Sequence, residues 1–424
     1  MMHLLYTFLF YLIQPLVWLR LFLRGRKAPA YRKRWAERYG FCQGKVVPGG
    51  ILLHSVSVGE TIAAIPLVKA LQQRYPELPI TITTMTPTGS ERVKATFKEQ
   101  VSHVYLPYDL PCAINHFLNE LQPKIVIIME TELWPNLINA LSQRHIPLIV
   151  ANARLSARSA RGYKKLGKMT SRLMQKVSLI AAQNPQDGAR FVSLGLPEKQ
   201  LEITGSIKFD ISVNNDLKME AQQLRKSWGN NRLIWIAAST HEGEEDAILE
   251  SYQQLLPLYP NLLLVLVPRH PERFSDVENL IKREGLSYVR RSERTLPTAH
   301  TQVVLGDTMG EMMLLYGIAD IAFVGGSLVE RGGHNPLEPA VYGLPIVMGT
   351  HVFNFKTICQ DLSVAGGLTF VINEVMLTEA IERLCRDESQ RHLQGQKALA
   401  VLLRNQGALD KLLNLIESLL HIKS

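Results

Sequence analysis

From Gly49 to the end of the chain, short apolar runs alternate with longer stretches whose apolar residues return every third or fourth position. The runs predict strands at residues 51–54, 80–85, 103–106, 125–129, 148–151, 179–182 and 202–204. A polar segment at 211–218 interrupts this series. A second series comes after it, at 233–238, 262–267, 287–289, 302–305, 321–324 and 346–348. The periodic stretches between runs predict helices, for example over 60–74 and 161–176, with a last amphipathic one at 406–422. Strand–helix alternation at this spacing specifies parallel sheets wrapped by helices. The expected fold is therefore α/β, with two doubly wound domains. Ligands are expected beyond the C-terminal ends of the strands, in the cleft between the domains.

The first forty residues have another pattern. Residues 4–23 are almost wholly apolar, broken by Gln14, Pro15 and Arg20, and reach the ~20 residues a membrane helix needs. Arg20, Arg24, Arg26, Lys27, Arg32, Lys33, Arg34 and Arg38 face only Glu37, so this segment carries +7 of the formal +9. A basic collar directly after an apolar run places the remainder of the chain on the cytoplasmic side of the membrane. No Lys or Arg precedes the run, which disfavours a cleaved signal peptide. A helix lying flat in the interface is the alternative to a span, and the span is favoured. The expected organisation is an anchor and collar at 1–40, domains at 41–210 and 211–405, and a terminal helix at 406–424.

Composition narrows the chemistry. The 424 residues suit two domains, and 46% hydrophobic with 20% charged residues excludes a disordered chain. Four scattered cysteines, Cys42, Cys112, Cys359 and Cys385, exclude a disulfide scaffold and a zinc finger. With the charge concentrated at the N-terminus, the body is close to neutral and is not expected to bind nucleic acid. There is no G-x-G-x-x-G, no Walker loop and no Asp-x-Asp, and His54, His270 and His334 lack ligand spacing, so no metal or cofactor is expected.

Several clusters fall where strands end. Ser57–Glu60, Thr308–Glu311 and Asn335–Glu338 each place a cap residue three before a glutamate. Local structure alone accounts for them as capping boxes. Helix N-termini after strands are also ready sites for phosphate, and the glycines of FVGGSLVERGGHNPLEP let a backbone approach a ligand. Glu130 and Glu132 come directly after the strand at 125–129, either as caps or as acids facing a ligand. Lys208 lies near the domain junction and by itself reads as a solvated charge. Arg269 and Arg273 close another strand and can grip phosphate.

Eight runs, in order, carry a resemblance: HSVSVGE from His54, METELWPN from Met129, NARLS from Asn152, TGSIKFD from Thr204, ASTHEGEE from Ala238, VPRHPERF from Val267, GDTMGE from Gly306 and GGHNPLEP from Gly332. Along almost its whole length the sequence resembles the 3-deoxy-D-manno-octulosonic acid (Kdo) transferases of lipopolysaccharide synthesis. The resemblance implies two Rossmann-like domains in the GT-B glycosyltransferase architecture and inverting transfer of Kdo from CMP-Kdo to lipid IVA. It also implies that the membrane is the cell inner membrane. It implies Glu60 as general base, with Glu130 and Lys208 stabilising the transition state. It assigns CMP to Pro268 and Arg269, to Met309, Gly310 and Glu311, and to Asn335, Pro336, Leu337 and Glu338. Glu60, on a helix's first turn, is expected to stay ionised. Arg154, Arg158, Arg161, Lys164 and Lys165 offer a basic edge to acceptor phosphates. A sugar-nucleotide epimerase of the same architecture is the alternative. The family includes members that add one Kdo and members that add more.

Overall fold

The computed structural model describes residues 2–229 and 231–421, and the chain divides into two units, Met1–Asp210 with Gln406–Ser424, and Ile211–Asn405. The first unit holds a seven-stranded, all-parallel sheet: β1 (Ile51–His54), β2 (Ile80–Thr84), β3 (Ser102–Tyr105), β4 (Ile125–Met129), β5 (Leu148–Ala153), β6 (Leu179–Ala182) and β7 (Leu201–Ile203). Its order is β3-β2-β1-β4-β5-β6-β7. Successive side chains on a strand point to opposite faces, and here helices bury both. Leu52, Val126, Ile128 and Val150 enter one core, while Ile51, Leu53, Ile127 and Ile149 enter the other. That is why these strands read as unbroken apolar runs.

The C-terminal helix Ala408–His421 belongs to this unit. Ala408, Leu412, Leu413 and Ile416 join the second core. Asp210 fixes its start, accepting the backbone N–H groups of Gly407 and Leu409 at 2.6 and 2.7 Å. The helix expected over 161–176 is two, Ala157–Lys164 and Lys168–Met174. Gly167, at φ +50°, takes a left-handed conformation that a helix cannot continue through.

The second unit holds β8 (Ile234–Thr240), β9 (Leu263–Pro268), β10 (Tyr288–Arg290), β11 (Val303–Leu305), β12 (Ile321–Val324), β13 (Ile346–Gly349) and β14 (Leu368–Val371). The order is β10-β11-β9-β8-β12-β13-β14, again all parallel. β14 has no counterpart among the expected strands. It is an edge strand with two half-buried positions, so its apolar signal is short.

The N-terminal segment forms two helices, Met2–Leu12 and Gln14–Lys27. Pro15 starts the second without an N–H to give, and the pair bends by 47°. Among the described residues no single helix is long and apolar enough to cross a membrane, although the bent pair together has the length and composition. One face of the first helix is docked on the unit: Tyr6 donates to Asp109 at 3.0 Å and Thr7 to Asn136 at 3.1 Å. Leu4, Phe8, Leu12, Leu16, Leu19 and Leu23 stay exposed. The expected basic collar is divided. Arg20, Arg24, Arg26, Arg32 and Lys33 are exposed, but Arg38 is buried with Glu37. Glu37 accepts from Arg34, Lys45 and the Tyr105 N–H, and the Arg38 guanidinium lies 4.2 Å from the Tyr105 ring centre. These charges hold structure together and are not available to a membrane surface.

Candidate active site

In the first sheet the strand order reverses between β1 and β4, the position where doubly wound folds open a crevice for ligands. Glu60 comes from the helix Val58–Arg74, which begins directly after β1. Ser57 caps that helix, its Oγ accepting the Glu60 N–H at 3.3 Å. The Glu60 carboxylate turns back to accept from the Val56 N–H at 2.8 Å and from Ser57 Oγ at 3.0 Å. The capping box therefore exists, and it aims a carboxylate beyond the strand end.

Glu130 is the first residue past β4. Its φ of +58° is unusual for a residue with a side chain and costs roughly 1–3 kcal/mol. Its N–H still donates to the Ala151 carbonyl at 3.0 Å, so the ladder holds it in place, and Arg154 Nε lies 3.5 Å from its carboxylate. Lys208 sits on the short helical turn Ile207–Phe209. That turn is fixed by Asn152, a buried residue at φ +51° on β5, whose Oδ1 accepts the Ile207 N–H at 3.2 Å. Asn152 is a positioning residue that sequence reasoning passed over. Its signal was an asparagine ending an apolar strand, the side chain that best tolerates the left-handed region.

Electrostatics tie these groups together. Burial pushes the Glu60 carboxyl above its ordinary value, the Val56 N–H pulls it back, and the charge of Glu130 pushes it up again. Desolvation and a like charge outweigh the favourable N–H groups at the helix start. Glu132 is pushed up to about 7 by burial and then by Glu60 and Glu130. Burial lowers the Lys208 ammonium, with Glu130 opposing the shift and Arg154 adding to it. Three carboxylates and one amine thus share a strand-end site in which at least one acid can exchange a proton near neutral pH.

In the second sheet the order reverses between β8 and β12. The buried Glu244, after β8, accepts the N–H groups of His241, Gly326, Ser327 and Leu328 at 2.7–3.0 Å. This fixes the glycine loop after β12. Gly325 is required there, because a Cβ would lie 2.5 Å from the Ser239 carbonyl oxygen. Beyond the loop, Asn335 Oδ1 accepts the Leu337 N–H at 3.1 Å and its Nδ2 donates to Glu338 at 3.3 Å. The helix after it is only one turn, Leu337–Ala340, so the expected box is present in contracted form. Pro268 ends β9, and Arg269 is next, with its N–H on the Thr240 carbonyl at 3.0 Å. Burial raises the Glu338 carboxyl, while Asn335 and the Arg269 charge lower it.

The Thr308–Glu311 cluster differs from expectation. Its helix is Met312–Ile318, so Glu311 is the cap position and not the third helical residue. Arg291 draws it away, gripping both carboxylate oxygens at 3.0 Å, and Thr308 adds a hydroxyl. Asp307 is held likewise by Arg290 and Ser292. Met309 and Gly310 are left exposed between these anchors, beyond β11, the neighbour of β9.

The histidines are also corrected. His54 stands alone, buried against Thr83. His270 and His334 are not scattered: His241 brings them together, its Nε2 2.9 Å from that of His334 and its ring centre 5.3 Å from that of His270. Burial and the surrounding positive charges hold His241 and His334 down to about 4, so both are neutral at physiological pH. Among the described residues no group of three His, Cys, Asp or Glu gathers as metal ligands.

Comparison with known proteins adds to this geometry. Residues 33–211 match the family described as 3-Deoxy-D-manno-octulosonic-acid transferase (kdotransferase), and residues 220–400 match Glycosyl transferases group 1. The 3-deoxy-D-manno-octulosonic acid transferase of Haemophilus influenzae is 52% identical over 97% of both chains. That of Bordetella pertussis is 33% identical over 96% of both. The structure of UDP-GlcNAc 2-epimerase from Neisseria meningitidis superposes with a TM-score of 0.56 over 87% of this chain and all of its own. At 13% identity that likeness shows the fold alone.

Proposed function

Since this chain belongs to the Kdo transferase family, and is thereby a glycosyltransferase of lipopolysaccharide synthesis, we propose that its two strand-end sites divide one reaction between them. The first unit activates the hydroxyl of lipid IVA, and the second holds CMP-Kdo. Glu60 takes the proton of the attacking hydroxyl as the new glycosidic bond forms at the anomeric carbon. The bond to the CMP phosphate breaks on the opposite side, CMP leaves with the electron pair, and the centre inverts. The transition state is oxocarbenium-like. Lys208 balances negative charge on the departing phosphate or the Kdo carboxylate, with Glu130 keeping the amine in register. Arg269 and the N–H groups around Asn335–Glu338 carry the phosphate, and the loop Met309–Glu311 carries the rest of the nucleotide.

One observation carries the reading: Glu60 lies at the switch point of its sheet with its proton affinity raised by burial and by Glu130. A base with raised affinity is a better acceptor for a hydroxyl proton. Mass spectrometry of the products from CMP-Kdo and lipid IVA tests it. A Kdo increment on the lipid with release of CMP is expected. Donor consumed with no lipid-linked product, as an epimerase would give, contradicts it.

This charge balance needs no metal, so excess chelator should leave turnover unchanged. Loss of activity restored only by a divalent ion would contradict this. The N-terminal helices are read as lying in the membrane surface on the cytoplasmic side of the inner membrane. This departs from the expected span, because Tyr6 and Thr7 tie the first helix to the unit while its outward face stays apolar. Arg20, Arg24, Arg26, Arg32 and Lys33 remain for anionic headgroups. Removing residues 2–23 should abolish co-flotation with anionic vesicles; unchanged flotation would sink the assignment.

A further inference from the structure

The first unit contains a cavity of about 410 Å³ that the proposed reaction does not use. Leu5 and Leu9 of the N-terminal helix form one wall, and Leu166, Met169 and Leu173 form the other. Its size falls within the ~300–1,000 Å³ of small-molecule pockets. Glu132 is the only carboxylate in the lining, and it belongs to the acid cluster of Glu60 and Glu130. Trp134 also lines the cavity, and its indole N–H is buried without an acceptor. A buried donor of that kind costs about 1–3 kcal/mol until something accepts from it. Outside the slot, Arg161, Lys164, Lys165 and Lys168 are exposed around Leu166. On the other side, the helix that supplies Leu5 and Leu9 turns Leu4, Phe8 and Leu12 to solvent.

The structure assigns this slot to one acyl chain of the lipid acceptor. The assignment rests on the reading of the chain as a transferase acting on a phosphorylated lipid. An apolar slot excludes a sugar or a nucleotide, since neither could satisfy its polar groups there. The cationic rim suits the phosphates of the same molecule. A chain of bulk membrane lipid would explain the apolar walls but not why the slot adjoins the acid cluster. With the acceptor's own chain in place, the polar end of that molecule lies beside Glu60, and a carbonyl at the head of the chain meets the Trp134 N–H. The slot thus makes lipid binding part of the alignment for chemistry. The docked N-terminal helix is one wall of the substrate site as well as a membrane contact.

The test compares lipid IVA with the same acceptor stripped of its acyl chains, using the full chain. Two variants fill the slot: Leu173→Trp from the core side and Leu9→Trp from the half-exposed side, the second being tolerated even where the first disturbs folding. Wild type is expected to prefer the acylated acceptor through a lower KM. Either variant should raise that KM about tenfold or more, the loss expected when several buried methylenes are displaced. Turnover on the stripped acceptor and binding of CMP-Kdo should stay unchanged. A wild-type preference retained in both variants would overturn the inference. So would equal loss on both acceptors, which would mean that the slot only supports the acid cluster. Transfer to neither acceptor by the wild type would instead overturn the assigned reaction, and this inference with it.

Discussion

The two strand-end sites share a design and differ in how their charges are met. Around β1 and β4, Glu60, Glu130 and Glu132 repel one another, and Glu132 rises to about 7. Around β8, β11 and β12, most acids are matched, although burial also pushes Glu245 up to about 7 against the pull of Arg273. Glu244 receives four N–H groups, Glu311 a two-pronged arginine, and Asp307 an arginine and a serine. Unrelieved repulsion between acids is expected where protons move, because that is where ordinary acidities are of no use. Matched networks are expected where a ligand must meet a rigid surface. On the proposed division of labour, the contrast is between the site that reacts and the site that holds.

It can be broken first at Glu244. Glu244→Ala leaves four N–H groups, two of them fully buried, without an acceptor, and the stability of the second unit should fall by roughly 3–5 kcal/mol. A change under about 1 kcal/mol in denaturant unfolding would show that the network is not what fixes the glycine loop.

The opposite outcome is expected at Glu132. Its folded value, about 7, lies above the ordinary 4.5, so its protonated form favours the fold. That stability is fully present below about pH 4.5 and lost as pH rises through about 7. Glu132→Gln should therefore match wild type at about pH 4 and exceed it by about 1–3 kcal/mol at about pH 8. A stability gain independent of pH would contradict the assignment. The smallest effect is that of Glu130→Gly, which removes the positive-φ strain and should raise stability by about 0.5–1 kcal/mol while activity falls. Lower stability in thermal unfolding would mean that the Arg154 contact outweighs the strain.

Much of the fold was legible because parallel strands buried on both faces cannot hide: β1, β4, β6 and β12 begin and end where their apolar runs do. β14 escaped because two of its four positions are only half-buried. The Ser57–Glu60 box was readable because it is local. The Thr308–Glu311 box was misplaced because Arg291, twenty residues away, outcompetes the helix for Glu311. Lys208 read as an ordinary surface charge, since Asn152, which places it, lies 55 residues from the turn it holds. Glu244 gave little signal, because three of its four partners are main-chain groups more than eighty residues away. What local chemistry specifies can be read from sequence, and what distant backbone specifies cannot.

The division of labour is tested most directly at Glu60. In Glu60→Gln the amide oxygen can still accept the Val56 N–H, so the helix start survives, but the side chain cannot take a proton. Turnover at saturating CMP-Kdo should fall roughly 10²–10⁴-fold, the range for lost general-base help, with the unfolding midpoint and the CMP-Kdo affinity of the same preparation unchanged. Turnover close to wild type would return Glu60 to a structural cap and remove the base from this account.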